Sequence, residues 1–302
     1  MSNLVGALLV RPQAISGAAL AATNVAETDY AAYNAGTTYA LAARVIVVAD
    51  HMVYESLQAS NTGHTPSTSP TWWIPVWPTN PWRMFDQAVQ SQTTRTDDIT
   101  VQLDLTGGVD WLSLFNISAA SAHVTMTDAT EGVVYDETIS LVSDSGIVDW
   151  YAYFFEPITR KRDLHLELPI YADPTLDIVL TDTGATVAIG GCFPGLSRTL
   201  GGTQWGAQVG IRDYSRKEES DFGDFTVLQR AYSRWANFSL HVEPGFVDEL
   251  VNVLADYRAT PAIWVADSAY ASTVIYGFYD DFQVEISYPT LSACSLRIKG
   301  LT

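Results

Sequence analysis

The stretch Ile99-Thr100-Val101-Gln102-Leu103-Asp104-Leu105, residues 99–105, alternates apolar and polar side chains without a break. A period of two marks a β-strand with one buried face. Outward from it, strand-like runs recur at Trp111–Ile117, His123–Asp128, Val133–Leu141, Trp150–Phe155, Asp163–Ile170 and Leu176–Ile189. Turn signals separate them: Gly107-Gly108, Asp128 to Gly132, Asp144 to Gly146 and Asp182 to Gly184. Short strands at this spacing predict an antiparallel β-sandwich, a jelly roll, over residues 83–200.

Beyond it the character changes. Gly201-Gly202 and the residues to Gly206 read as a flexible entry into a second unit, residues 201–302. Its clearest element is a helix from Gly245 to Tyr257, with Phe246, Val247, Leu250, Val251 and Leu254 at helical spacing and Asp248, Glu249, Asn252 and Asp256 outward. Arg258 suits the helix C-terminus and Pro261 stops it. Strands are predicted within 226–240 and at Ala262–Ala266, Val274–Gly277, Phe282–Tyr288 and Cys294–Ile298. The chain is therefore expected to be mainly β: a sandwich plus a C-terminal α+β domain with one principal helix. Asp213 to Asp224, the charge-dense stretch, reads as a solvated loop or an interface.

Two segments precede the sandwich. Residues 1–30 are small and apolar, an N-terminal arm, helical or extended, that packs on this chain or on a neighbour. They carry no positive region before the apolar stretch, so no secretory signal is expected. Residues 31–82 form a small unit: a turn at Tyr33 to Gly36 with Gly36 supplying a special backbone angle, strands at Tyr39–Asp50 and Met52–Ala59, a polar loop at 60–71, and Thr71-Trp72-Trp73-Ile74-Pro75-Val76-Trp77-Pro78-Thr79-Asn80-Pro81-Trp82.

The 302 residues include 16 Lys and Arg against 34 Asp and Glu, a net charge of −18. A cationic surface for nucleic acid is excluded for the chain as a whole, and neither an anionic membrane surface nor membrane insertion is expected. Cys192 and Cys294 are too few for a disulfide scaffold and are expected as small buried residues.

No Gly-rich nucleotide loop, H-E-x-x-H, C-x-x-C or G-x-S-x-G appears, and the five histidines are scattered. The doublets Asp97-Asp98 and Asp280-Asp281 would point to opposite faces of a strand and do not converge. Asp97, Asp98, Asp128 and Asp144 offer oxygen ligands in turns, without the spacing of a calcium loop. Arg230, Arg234 and Arg258 are expected to brace acidic neighbours such as Glu249 or Asp256. No catalytic residue, metal site or cofactor is expected. The strongest chemical hint is the aromatic segment. Trp72, Trp73, Trp77 and Trp82, with Asn61, His64 and Asn80 nearby, suit two uses. They can offer apolar sugar faces a platform edged by hydrogen-bonding groups, or they can pack at the end of the sandwich or against a neighbouring subunit.

These residues carry a resemblance. The order Tyr33-x-x-Gly36-x-x-Tyr39, then Tyr54-Glu55-Ser56-Leu57, then Asn61-Thr62-Gly63-His64-Thr65-Pro66 and the pair Trp72-Trp73 resembles the small chitinase-type carbohydrate-binding repeats of tailed-bacteriophage virion proteins. It departs from them in having no tryptophan between residues 20 and 40. The stretch Pro78 to Gln87 is similar to the segment that succeeds the repeat in those proteins, ahead of a galactose-binding-like jelly roll. Residues 203–302 are similar to the close of phage minor tail and baseplate proteins. The resemblance implies a non-enzymatic structural protein of the virion, in the tail tip or baseplate, forming a homo-oligomer and contacting other tail proteins. The alternative it implies is a receptor-recognition protein binding a host surface glycan.

Overall fold

The computed structural model describes residues 6–143, 149–155, 159–219, 223–288 and 290–301. The chain enters through β1 (Gly6–Pro12) and β2 (Leu20–Thr23) and builds a small unit from β3 (Arg44–Val47), β4 (Met52–Ser56) and β5 (Trp73–Pro78). It then lays down β6 (Thr93–Asp104), β7 (Val109–Phe115), β8 (Ser121–Asp128) and β9 (Gly132–Ser140). A two-residue ribbon of β10 (Val142–Ser143) and β11 (Thr159–Arg160) flanks helix α1 (Trp150–Phe155). Then come β12 (Leu164–Tyr171), β13 (Thr175–Ile189) and β14 (Gly191–Thr203). The last third holds β15 (Gln208–Asp213), β16 (Arg216–Glu219), β17 (Phe225–Leu228), β18 (Tyr232–Val242), helix α2 (Val247–Asp256), β19 (Ala262–Val265), β20 (Val274–Tyr288) and β21 (Leu291–Gly300).

The protein is mainly β, with antiparallel sheets and one principal helix, as the alternation predicts. One layer of the sandwich is the sheet β2-β6-β13-β8-β9. Ile99, Val101 and Leu103 of β6, Leu176, Ile178 and Leu180 of β13, and Val124 and Met126 of β8 point inward. They meet Leu112 and Leu114 of β7, Leu164 and Leu168 of β12, and Cys192 of β14. These three strands are not a separate sheet. They form one end of a nine-stranded sheet, β12-β7-β14-β1-β19-β20-β21-β18-β15. Within it, pairing of Gly202 with His241 and of Thr203 with Leu240 joins β14 to β18 and closes the ring β14-β1-β19-β20-β21-β18. The interior of this six-stranded barrel is filled by Leu9, Leu200, Phe238, Leu240, Trp264, Leu296 and Ile298, and α2 adds Val247, Leu250, Val253 and Leu254.

Several expectations are corrected. Of the alternatives given for the N-terminal arm, the structure takes the extended one packed on this chain: it supplies β1, hydrogen-bonded between β14 and β19 with Ala7, Leu9 and Val10 buried. The boundary expected at 200/201 falls inside β14, which runs unbroken through Gly201-Gly202. Trp150–Phe155, read as a strand, is helical: its rings pair at i,i+4, Trp150 with Phe154 at 6.2 Å and Tyr151 with Phe155 at 4.9 Å between centroids. Gly36 has no left-handed angle, and its N–H is instead held by the Asn34 side-chain oxygen at 2.8 Å. Gly107, Gly108, Gly132 and Gly184 do take positive φ in their turns. The turn at Asp144 to Gly146 lies outside the described residues. Cys192 and Cys294 are buried and form no disulfide, one in each core.

Candidate functional site

The small unit is a three-stranded antiparallel sheet, β3-β4-β5, in which β5 is an edge. An edge strand needs fewer backbone donors, which is why Pro75 and Pro78 are tolerated there. Val45 pairs across from Tyr54, and Trp73 sits over them with 1% of its surface exposed. Tyr33 and Tyr39 close edge-on against Trp73, with centroids at 6.0 and 5.2 Å. The Trp73 indole N–H donates to the His64 carbonyl at 2.8 Å. Asn61 is completely buried. Its backbone bonds both ways with Tyr39, and its side-chain amide donates to Ser56 Oγ at 2.9 Å. Trp73 and Asn61 are thus the core of this unit.

The other four candidates lie at three separate places. The Trp72 indole, half-buried, stacks on the His64 imidazole at 4.0 Å and 11°. Trp77 projects from the opposite face of the sheet, where the Arg44 guanidinium lies 4.8 Å from its ring centre and pairs with Glu55 at 2.8 Å. Trp82 is outside the sheet, in the 3-10 turn Asn80–Phe85. It stacks on His51 at 4.0 Å and donates its indole N–H to Glu27 at 3.2 Å. No single platform results.

Trp82 belongs to a neck, which the sequence reading missed. The chain enters the small unit through residues 24–30 and leaves through 79–86. Glu27 accepts hydrogen bonds from Thr79 Oγ1 at 3.0 Å and from Trp82, and meets His51 Nδ1 at 2.9 Å. Asp29 accepts from Arg83 at 2.6 Å and from the Asn80 N–H at 2.9 Å. These partners lie 24 to 55 residues apart, so no local pattern announces them.

Asp97, Asp98, Asp128 and Arg234 serve structure, whereas Arg230 and Arg258, expected to brace acidic neighbours, form no ion pair among the described residues. Asp97 accepts the Gly184 N–H at 2.7 Å, whereas Asp98 turns to Arg95 and Asn24. Asp128 caps its turn through the N–H groups of Glu131 and Thr130, which holds its carboxyl below the usual range. Arg234 braces Asp163 rather than Glu249, whose partner is Arg198. No cluster of three metal-ligating side chains occurs among the described residues.

An exposed apolar ribbon lies elsewhere, in the last third. Beyond β15 and β18 the chain extends as a two-stranded ribbon, β16 with β17, in register Arg216–Leu228, Lys217–Val227, Glu218–Thr226 and Glu219–Phe225. All eight residues are exposed, Phe225 by 69% and Val227 by 63%, so neither face of the ribbon is covered among the described residues. Next to it β15 is the terminal strand of the nine-stranded sheet and exposes Val209 and Ile211.

No family model and no curated protein matches the chain. Among solved structures, it is similar to a chitosan-binding module of a chitosanase/glucanase from Paenibacillus sp. IK-5, at 8% identity and a TM-score of 0.26, over 38% of this chain and 83% of that one. It is also similar to XRCC1 in its complex with the DNA polymerase β catalytic domain, at 13% identity and a TM-score of 0.23, over 32% of this chain and 72% of that one.

Proposed function

We propose that the chain is a non-enzymatic structural subunit of a tailed-phage tail tip or baseplate, assembling with copies of itself and with other tail proteins. The β16–β17 ribbon is the observation that carries the assembly part of this reading. An isolated two-stranded ribbon is at best marginally stable in water, and this one displays Phe225, Val227 and Leu228 without cover. An unpaired edge beside it, β15, is a ready template for another chain. Residues 214–231 hold three cations and four acids, so the arm is close to neutral at −1 while the rest of the chain carries −17. An apolar arm of so little charge meets the acidic body of a second copy without the repulsion that body-to-body contact would bring. The placement in a virion rests on the resemblance of residues 203–302.

Size exclusion with light scattering tests the assembly. The full chain is expected to be oligomeric, and Phe225→Asp with Val227→Asp to give a monomer with unchanged melting. A monomeric wild type would overturn the reading. An antibody to the chain should decorate the distal tail of particles in negative stain.

A second reading, glycan recognition for adsorption to a host, is favoured by one observation: the stacked rings of Trp72 and His64 sit at the surface. Loss of adsorption in Trp72→Ala, with normal assembly, would establish it over the first.

A further inference from the structure

The outer wall of the barrel carries a second arrangement, on the face of β15, β18 and β21 and not at the free edge of β15. Across β15, β18 and β21 the register aligns Gln208, Asn237 and Arg297 in one row and Gly210, Trp235 and Lys299 in the next. The intervening residues Ala236, Phe238, Leu296 and Ile298 are the ones that fill the barrel. The Trp235 indole lies flat on Gly210: a Cβ at that glycine would stand 2.6 Å from Cε2 and Cζ2 and 2.8 Å from Nε1. The absence of a side chain at 210 is what lets the ring lie in the plane of the wall, where it is half-buried and borders a surface depression. Trp235 lines a depression of about 390 Å³, and a second of about 370 Å³ shares Asn237 and Arg297 with it. The Asn237 Oδ1 is closed off from water and has no hydrogen-bond partner among the described residues.

The charges here are unusual for this chain. Eight of its 16 Lys and Arg are ion-paired among the described residues. Arg212, Arg297 and Lys299 line this wall, and none has a carboxylate of the described residues within the 4.0 Å of an ion pair. Asp280 and Asp281, expected on opposite faces of a strand, both stand exposed on the β20 side of these depressions, because the register of β20 shifts between Tyr279 and Asp281, and neither pairs with the cations.

We propose that this wall binds a saccharide chain bearing carboxylate or phosphate groups. The apolar C–H face of a sugar ring lies on Trp235, the anionic groups meet Arg212, Arg297 and Lys299, and hydroxyls donate to Asp280 and Asp281. Neutral sugars would leave three cations without a partner.

The full chain is titrated calorimetrically with polygalacturonate, a phosphomannan, dextran and oligothymidylate. Binding is expected for polygalacturonate or phosphomannan, and the two arms tell carboxylate from phosphate recognition. Trp235→Ala should weaken it at least about tenfold, and so should Arg297→Gln with Lys299→Gln, a surface change that leaves the barrel core intact should Trp235→Ala fail to fold. Oligomeric state in the same samples reads assembly separately, so failure of one reading does not mask the other. Equal binding of dextran, equal binding of oligothymidylate, no binding of either anionic saccharide, or binding indifferent to both variants would overturn the proposal.

Discussion

His165 shows how a single ring can tie stability to pH. Trp111 Nε1 donates to Ser113 Oγ at 2.8 Å, so the serine proton is directed at His165 Nδ1, 2.9 Å away. The imidazole is then neutral with its N–H at Nε2, which is buried without a partner among the described residues. Burial pushes its pKa from 6.5 down to about 4; Asp163 opposes this and Arg234 adds to it. The folded protein thus resists a proton that the unfolded chain accepts. The contribution is whole above pH 6.5 and is lost as the pH falls toward about 4, amounting to at most about 3 kcal/mol. Urea unfolding of wild type and His165→Phe at both ends of this window should show the wild type losing that much more. Parallel losses would reject the assignment. A second contrast lies in the small unit. Trp73→Ala removes the centre of its core and should cost about 3–5 kcal/mol. Trp72→Ala removes a surface stack and should cost only about 0.5–1.5 kcal/mol, both read from near-ultraviolet circular dichroism melts. In the sequence these two tryptophans form one motif. Trp73 opens β5 and points inward, while Trp72 closes the turn ahead of it and packs half-buried at the rim of the same core.

Among elements, α2 is legible because its apolar positions repeat at 3.6 residues and bury one stripe. Val247, Leu250, Val253 and Leu254 are buried, while Val251, counted on that stripe from spacing alone, faces outward. Its start lies two residues later than spacing suggests, because Pro244 opens a 3-10 turn through Phe246. Leu250→Ala should cost about 2–5 kcal/mol in denaturant unfolding. Glu249→Ala should cost no more than about 1 kcal/mol, since its pair with Arg198 is 55% and 47% exposed. Equal costs for the two would mean that the helix does not hold the barrel core. Strand β1 is not legible, for the opposite reason. A strand in the middle of a sheet with both faces covered loses the period of two, and Gly6–Pro12 reads only as an apolar run. Strand β7 is covered on both faces as well, Leu112 and Leu114 entering the sandwich and Trp111 and Phe115 the seam beside the barrel, yet it is legible as Trp111–Ile117 because Gly107-Gly108 marks the turn ahead of it. Helix α1 carries aromatics with strong β propensity, so composition points away from its conformation.

At the scale of the whole molecule, Gly201-Gly202 reads as a linker in sequence and works as a closure in space. A Cβ at Gly201 would stand 2.5 Å from the His241 carbonyl oxygen, so the glycine is there to let β14 approach β18 and complete the ring. The consequence is energetic. Strand β14 alone contributes Cys192 to the sandwich core, Phe193 to the seam and Leu200 to the barrel core. In the seam, Trp111, Phe115 and Phe193 pack against Ile263, Val265, Val274 and Tyr276 of β19 and β20. A fragment of residues 81–200 would expose those three aromatics, each worth about 1.5–3 kcal/mol when buried. That loss is comparable with the roughly 5–15 kcal/mol that holds a typical domain together. The fragment should therefore show no cooperative transition. In the full chain, sandwich and barrel should melt as one, with the calorimetric enthalpy of that transition equal to the van't Hoff enthalpy. Two resolved transitions, one of them reproduced by the isolated fragment, would restore residue 200 as a domain boundary and make the shared strand incidental to stability.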